Sequence, residues 1–354
     1  MNMNNKKIAV LMSGGVDSSV AALILKKKGF NPIGIHLKIS KFCNVEDEYD
    51  ARRVAEILNF PLYTLDISED YEKLVINDFI KEYKEGLTPN PDVWCNSRIK
   101  FNLVFNFVKN LGFNYIATGH YAKISKIEND YFLKIPKDLN KDQTYFLWQI
   151  NKNILKKIIF PLANYTKDKV RKIALENKLP NALKKDSQGI CFLGKIKLSD
   201  YLKNFLSIKQ GEIRDVYNNL LGYHNGYYFY TEGQRHGLNI KNSQGPYYVA
   251  LKDIANNVLI VGKENDEIIY SSKIFLDNIN FLVSKRFLNK IKKDNKIEVL
   301  VKCRYRQPFI KAIFDIKNKI LILEDKVKGV ALGQSAVLYF KDIVLGGGII
   351  YKKK

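Results

Sequence analysis

Residues 8–29 read IAVLMSGGVDSSVAALILKKKG, and their reading decides the fold. The five apolar residues 8–12 make a short buried strand, and from residue 18 an apolar helical pattern runs to Gly29, which closes the helix. Between them a glycine pair flanked by serines occupies a strand-to-helix turn, where amides and hydroxyls can cradle anionic oxygens at the positive end of the helix. The common nucleotide-binding loop, G-x-x-x-x-G-K-[ST], carries a lysine that reaches the outer phosphates. Here Gly14 and Gly15 are followed by Val16, Asp17, Ser18 and Ser19, with no lysine. Such a loop suits holding the β and γ phosphates as a leaving pyrophosphate while the α-phosphate is attacked, with Asp17 holding Mg²⁺ directly or through water. A plain glycine turn with serine caps is the bland alternative, and the order of strand, loop and helix counts against it.

The same alternation continues outward from this stretch. Residues 32–38, 61–67 and 114–120 are strand-like; 46–59, 71–83 and 97–112 are helical. Strands alternating with helices predict an α/β unit, a doubly wound parallel sheet with helices on both faces. Its ligands should bind beyond the carboxyl ends of the strands, where SGGVDSS and the ATGH of residues 117–120 both fall. A helix-rich stretch is expected to run on to about residue 206. Glycine- and asparagine-broken β-type runs then predict a small β-rich module over 207–265, and longer alternating runs predict a barrel-like β module over 266–354.

The chain has 354 residues and a formal net charge of +22. Residues 266–354 hold 19 lysines and arginines against 9 acids, which points this last module towards a polyanion such as nucleic acid. A chain rich in Lys, Asn and Ile would also follow from AT-rich codon usage, so charge alone supports nucleic acid weakly. The first apolar run is too short for a signal-peptide core or a membrane span, which predicts a cytoplasmic protein with no membrane partner. Four scattered cysteines without a C-x-x-C pair predict a reducing compartment and no metal site.

Two of those cysteines sit in reactive-looking settings. In TPNPDVWCNSRIKF (88–101), Cys95 stands just before an expected helix capped by Asn96 or Ser97, a position that lowers a thiol pKa; Asp92, three residues upstream, is a candidate acid/base. In KKDSQGICFLG (184–194), Cys191 follows a glycine turn near Lys184, Lys185 and Asp186. Each alone is as readily a buried structural thiol. Joined to an adenylating loop, the pair suggests sulfur delivered to an activated carbon and released by disulfide formation. Cys43 and Cys303 are read as structural, and His36 as a core residue.

The loop resembles the PP-loop ATP pyrophosphatase signature, which implies adenylation of an oxygen. SGGVDSSV, TPNPDVWCNSRIKF, ATGHYAK, KDQTYFL, KKDSQGICFLG, TEGQRHGLNI, RYRQP, GQSAVLYF and LGGGII together resemble, in order and spacing, the bacterial tRNA-specific 2-thiouridylase family (MnmA) over nearly the whole chain. The resemblance implies an ATP site at Leu11, Met12, Ser13, Gly14, Gly15, Val16, Asp17 and Ser18, with Leu37 and Gly119 lining it and Mg²⁺ as companion. It implies that Asn90, Pro91 and Asp92 meet the target base, and that His120, Lys141, Asp142, Gln143, Arg304, Tyr305 and Gln334 contact tRNA. Cys95 matches the nucleophile and Cys191 the persulfide carrier, supplied by a cysteine desulfurase or a sulfur-relay protein to a monomeric enzyme. Leu37 stands where the family often has methionine, and His236 where many members have lysine. The rival readings are a PP-loop synthetase acting on a small metabolite and a non-catalytic RNA-binding protein.

Overall fold

The structure is a computed structural model that describes residues 6–40, 45–186, 189–194, 196–240 and 245–354, with Cys191 described in its backbone only. The α/β unit runs β1 (Ile8–Leu11), α1 (Val16–Lys27), β2 (Ile33–Lys38), α2 (Val45–Ile57) and β3 (Leu62–Asp66), then helical stretches over 68–84 and 91–110. It continues through β4 (Tyr115–Ala117), the strands β5 (Lys123–Ile127) and β6 (Asp130–Lys134), β7 (Ile158–Ile159) and a helix over Lys167–Glu176.

Five of these strands form one all-parallel sheet in the order β3-β2-β1-β4-β7. Successive residues of β1 face opposite sides: Ala9 and Leu11 pack with the 68–84 and 91–110 helices, while Ile8 and Val10 pack with α1, α2 and the Lys167–Glu176 helix. Burial on both faces is why this strand reads as an unbroken apolar run. The order turns at β1, with β2 and β4 on either side, so the loops after β1 and β4 open at a topological switch point.

The expected helix-rich continuation after residue 120 is corrected at its start. KISKIENDYFLK (123–134) is a β-hairpin, paired Ile127 to Asp130 through Lys123 to Lys134. Its apolar residues divide between two cores, Leu133 with the α/β unit and Phe132 with the last module, so its stability comes from distant partners that the local pattern does not display.

A four-stranded sheet follows, made of β8 (Gly211–Arg214), β9 (Leu220–His224), β10 (Tyr248–Asp253) and β11 (Val258–Gly262) in the order β10-β11-β8-β9. The remaining strands are β12 (Tyr270–Phe281), β13 (Lys296–Lys302), β14 (Ile310–Asp315), β15 (Ile320–Lys328), β16 (Ser335–Phe340) and β17 (Ile343–Lys353). They close a six-stranded antiparallel barrel, because β12 pairs with both β15 and β17. Closure removes its edges. On its outside, β17 accepts β6 at Ile343 and Lys134, and Lys134 meets Asp342 at 2.5 Å. Among the described residues no helix is long and apolar enough to cross a membrane.

Candidate functional site

The phosphate loop is fixed by close backbone approaches. Gly14 has φ +75°, and a Cβ there would lie 2.0 Å from the carbonyl oxygen of Asp47 at the start of α2. A Cβ on Gly119 would lie 2.7 Å from the Ser18 amide, so the turn after β4 rests directly on the start of α1. Ser18 and Ser19 Oγ each donate to the Gly15 carbonyl at 3.0 Å. Asn181, buried and unmarked by any motif, donates to the Gly14 carbonyl at 2.8 Å and to Ser19 Oγ at 2.9 Å. The lysine that the loop lacks arrives from elsewhere: Lys167, first residue of its helix, reaches Asp17 Oδ1 at 2.7 Å, and the Tyr121 hydroxyl donates to the same oxygen at 2.9 Å.

Asp17, read as holding Mg²⁺ directly or through water, has its Oδ1 held by a lysine and a tyrosine. Among the described residues no three His, Cys, Asp or Glu side chains gather as a metal site. A Mg²⁺ brought in with a polyphosphate would find oxygen ligands in the phosphates, in water and in the Asp17 carboxylate.

Cys95 is placed differently from the expectation. The helix begins earlier, with Asn90 before it and Pro91 at its first position, and Cys95 is its fifth residue rather than a residue before its start. From Cys95 to Val104 the helix widens into π-type i→i+5 hydrogen bonding, a geometry enriched at functional sites. Burial, 4% exposure, pushes the Cys95 thiol up, and the Asp92 carboxylate adds to this; the Lys100 ammonium and a hydrogen bond with Tyr71 oppose it. Burial likewise raises the Asp92 carboxyl against the pull of Lys100. His120 is kept neutral, its pKa lowered first by burial and then by Lys100, with Nδ1 at 2.7 Å from Thr118 Oγ1 and its ring between Phe101 and Phe160. Lys100 thus acts on all three groups, and sequence reasoning missed it. The available signal was the spacing of Asp92, Asn96 and Lys100, four apart along one helix face, where Lys100 Nζ donates to Asn96 Oδ1 at 3.0 Å.

The side chain of Cys191 lies outside the described residues, as does Cys43. The next residue along, Phe192, packs edge-on against Tyr71 and Phe79, with ring centroids at 5.9 and 5.4 Å. Backbone adjacent to Cys191 is therefore anchored beside the tyrosine that bonds Cys95. Cys303 is buried, and burial pushes its thiol up to about 12. Leu37 packs at the edge of the α/β core.

Of the residues matched to tRNA contacts, Gln334, Tyr305 and Arg304 lie where the barrel meets the rest of the molecule. The Tyr145 hydroxyl lies 3.3 Å from Gln334 Oε1 and 3.0 Å from the Ser335 carbonyl, and it bonds the Asn90 side chain. Gln334 Nε2 donates to the Thr88 carbonyl at 2.8 Å, which ties the barrel to the loop before Pro91. Tyr305 lies against Phe146 at 4.5 Å, and Arg304 donates to the carbonyls of Glu232 and Gly329, so it clamps the middle sheet to the barrel. Gln143 pairs with the backbone of Tyr121 at 2.9 and 3.0 Å, and Lys141 meets Asp186 at 2.5 Å. Asp142 stands apart. Its carboxylate is buried and taken by Thr144 at 2.6 Å and Lys302 at 3.0 Å, so that side chain serves to hold the barrel on the α/β unit.

Comparison with known proteins gives consistent neighbours. Residues 6–195 match the family model described as the tRNA methyl transferase HUP domain, 199–263 its PRC-barrel domain, and 271–350 the aminomethyltransferase beta-barrel domain. The chain is 42% identical over 361 residues to tRNA-specific 2-thiouridylase MnmA 1 of Geobacillus kaustophilus, covering 98% of this chain and 96% of the relative. It is 41% identical over 373 residues to tRNA-specific 2-thiouridylase MnmA of Mycoplasma capricolum, covering 98% and 99%. Against the 2-thiouridylase MnmA of Buchnera aphidicola it is 42% identical over 362 residues, covering 98% and 97%.

Proposed function

The chain belongs to the tRNA-specific 2-thiouridylase family, and from that premise we propose that it is an ATP-dependent tRNA-uridine 2-sulfurtransferase acting on the wobble uridine. The observation that carries the reading is one short turn. Gly119 rests on the start of α1 beside the phosphate loop, while His120, the next residue, shares the Lys100 field with Asp92 and Cys95. The turn after β4 thus supports a reading in which adenylation and thiol chemistry neighbour one another.

In the proposed reaction the loop from Leu11 to Ser18 holds the triphosphate, with Leu37 and Gly119 beside the nucleoside. Asn90, Pro91 and Asp92 receive the uracil, flipped from its stack. Its C2 oxygen attacks the α-phosphate, pyrophosphate leaves, and the oxygen becomes part of an AMP leaving group. Cys191 carries a persulfide delivered by a cysteine desulfurase or a relay protein, and its terminal sulfur bonds to C2 as AMP departs. Cys95 then attacks the inner sulfur; the sulfur–sulfur bond breaks, 2-thiouridine is released, and a Cys95–Cys191 disulfide remains for external reduction. Asp92, held protonated more readily than an exposed carboxyl, is the proton shuttle.

Residues 1–206 form the adenylating and catalytic unit in this scheme, 207–265 a brace, and 266–354 the basic unit that grips tRNA through Arg304, Tyr305 and Gln334. His120, Lys141 and Gln143 contact tRNA from the catalytic unit. The protein works as a cytoplasmic monomer. The test is a reconstituted assay with desulfurase, ATP and tRNA. AMP, pyrophosphate and 2-thiouridine are expected together, and ADP with phosphate, or undiminished thiolation by Cys191→Ala protein, would refute the scheme.

A further inference from the structure

Beside the phosphate loop, three cations are gathered on one carboxylate. Asp186 receives Lys141 at 2.5 Å, Lys167 at 2.7 Å and Arg171 at 2.7 Å, and Lys167 bridges onward to Asp17 at 2.7 Å. Lys167 and Arg171 stand four apart on one face of their helix, and Lys141 comes from the turn before Asp142. The side chains are withdrawn from solvent, Lys167 to 12% exposure and Asp186 to 21%. Burial alone would raise the Asp186 carboxyl, but its hydrogen bonds with Lys141 and Lys167 outweigh that and hold it down at about 2.

One feature of this cluster does not suit a purely structural ion pair: it is joined to the loop through Lys167, while the loop sequence itself, Ser13 to Ser19, supplies no cation. Two ammonium groups and a forked guanidinium converging on one point are the donor set of a multiply charged oxyanion.

We propose that Lys167 and Arg171 form the receiving site for the pyrophosphate leaving group, and that the Asp186 carboxylate occupies this site as an internal stand-in until the anion displaces it, which also frees Lys141 for its tRNA contact. The proposal rests on the adenylating reading above. Displacement exchanges one negative charge for several at the same donors, so the gain grows as charge develops on the leaving group, which is what stabilises the transition state.

The test is calorimetric titration of the full-length protein with inorganic pyrophosphate. Asp186→Asn removes the internal competitor and is expected to tighten pyrophosphate binding about tenfold, while Arg171→Gln and Lys167→Ala weaken it about tenfold, one charge-assisted contact each. Equal or weaker binding by Asp186→Asn overturns the proposal, as does a gain in that variant confined to tRNA, which would make the cluster a contact for the RNA backbone. Should Asp186→Asn fail to fold, Arg171→Gln carries the test alone, and unchanged pyrophosphate affinity there overturns it. The adenylating reading is checked separately by the products of tRNA-stimulated ATP turnover. AMP formation together with a failed titration sinks the stand-in and spares that reading; ADP formation sinks the reading itself.

Discussion

The phosphate loop and the Cys95 pocket lie one residue apart along the Gly119–His120 turn, and they are built on opposite principles. Around the loop the carboxylates are partnered, Asp17 by Lys167 and Tyr121 and Asp186 by three cations. Around Cys95 burial works against charge, raising the thiol and the Asp92 carboxyl and lowering His120. Preorganised charge suits a step in which charge is handed over as a phosphate bond breaks. A dry pocket suits a thiol that must stay idle until its sulfur partner and an activated base are both present, since only the thiolate attacks. The contrast is one of charge environment on either side of two adjacent residues, Gly119 and His120.

The sharpest way to break the contrast is to remove the thiol and leave the loop intact. Cys95→Ala should lower 2-thiouridine formation at least about a thousandfold while ATP affinity stays within about twofold. Mass spectrometry of digested tRNA and a nucleotide titration read the two halves, and a parallel loss in both would mean they are not separable. Damaging the loop should do the reverse. Gly14→Ala forces a Cβ into the Asp47 carbonyl at a positive φ, so tRNA-dependent release of pyrophosphate is expected to fall about 100-fold from misplacement of the loop, with the Cys95 alkylation rate unchanged.

Lys100 should yield a smaller effect, because it tunes the pocket without closing it. Its ammonium favours the thiolate, so Lys100→Met raises the Cys95 pKa further. Peptide-resolved alkylation of Cys95 should then slow about tenfold near neutral pH, with the gap closing as pH rises above both thiol pKa values. An unshifted pH profile would show that Lys100 does not reach the sulfur.

The smallest effect is on stability, and it asks how far the dry character extends. Glu82, on the 68–84 helix, has its carboxyl raised to about 7, by burial first and then by Asp78, against Arg98. Below pH 4.5 the group is protonated in both folded and unfolded chains. As pH rises from there to 7 the unfolded chain loses the proton first, so the folded state loses stability. Glu82→Gln should therefore match the parent near pH 4 and exceed it by about 1–3 kcal/mol at pH 8. Thermal melts at the two pH values check this, and a pH-independent difference would count against the buried carboxyl.

The parts of this design that were legible in the sequence are those set by local pattern. IAVLM announced a strand buried on both faces, SGGVDSS a loop on a helix start, and the β-type runs after residue 266 a barrel. What stayed hidden depends on distance along the chain. Lys167 supplies the loop's missing cation from 150 residues away, and Asn181 pins Gly14 from 167. Neither has a motif, because a single lysine or asparagine acquires its role only when the fold brings it in. Cys95 was misjudged for a related reason: the helix was taken to start after it, but Pro91 starts the helix earlier, and the thiol's surroundings are then decided by the core it enters. The setting of the Asp142 charge was hidden in the same way, since only Lys302 in the barrel reveals that its carboxylate faces inward.

The hairpin over residues 123–134 gives the molecule a property that a linear division of the chain conceals. Its second strand is sewn to the outside of the barrel through Lys134, Ile343 and Asp342, with Ser284 bonded to Asp130 at 2.7 Å. Scissors applied near residue 206 would not separate two independent pieces. They would strip a neighbour from β6 and leave Phe132 without the barrel core it packs in, an exposed strand edge of the kind that recruits other chains. For anyone wishing to transplant the barrel or express the catalytic unit alone, the graft must carry those twelve residues to the other side of the seam.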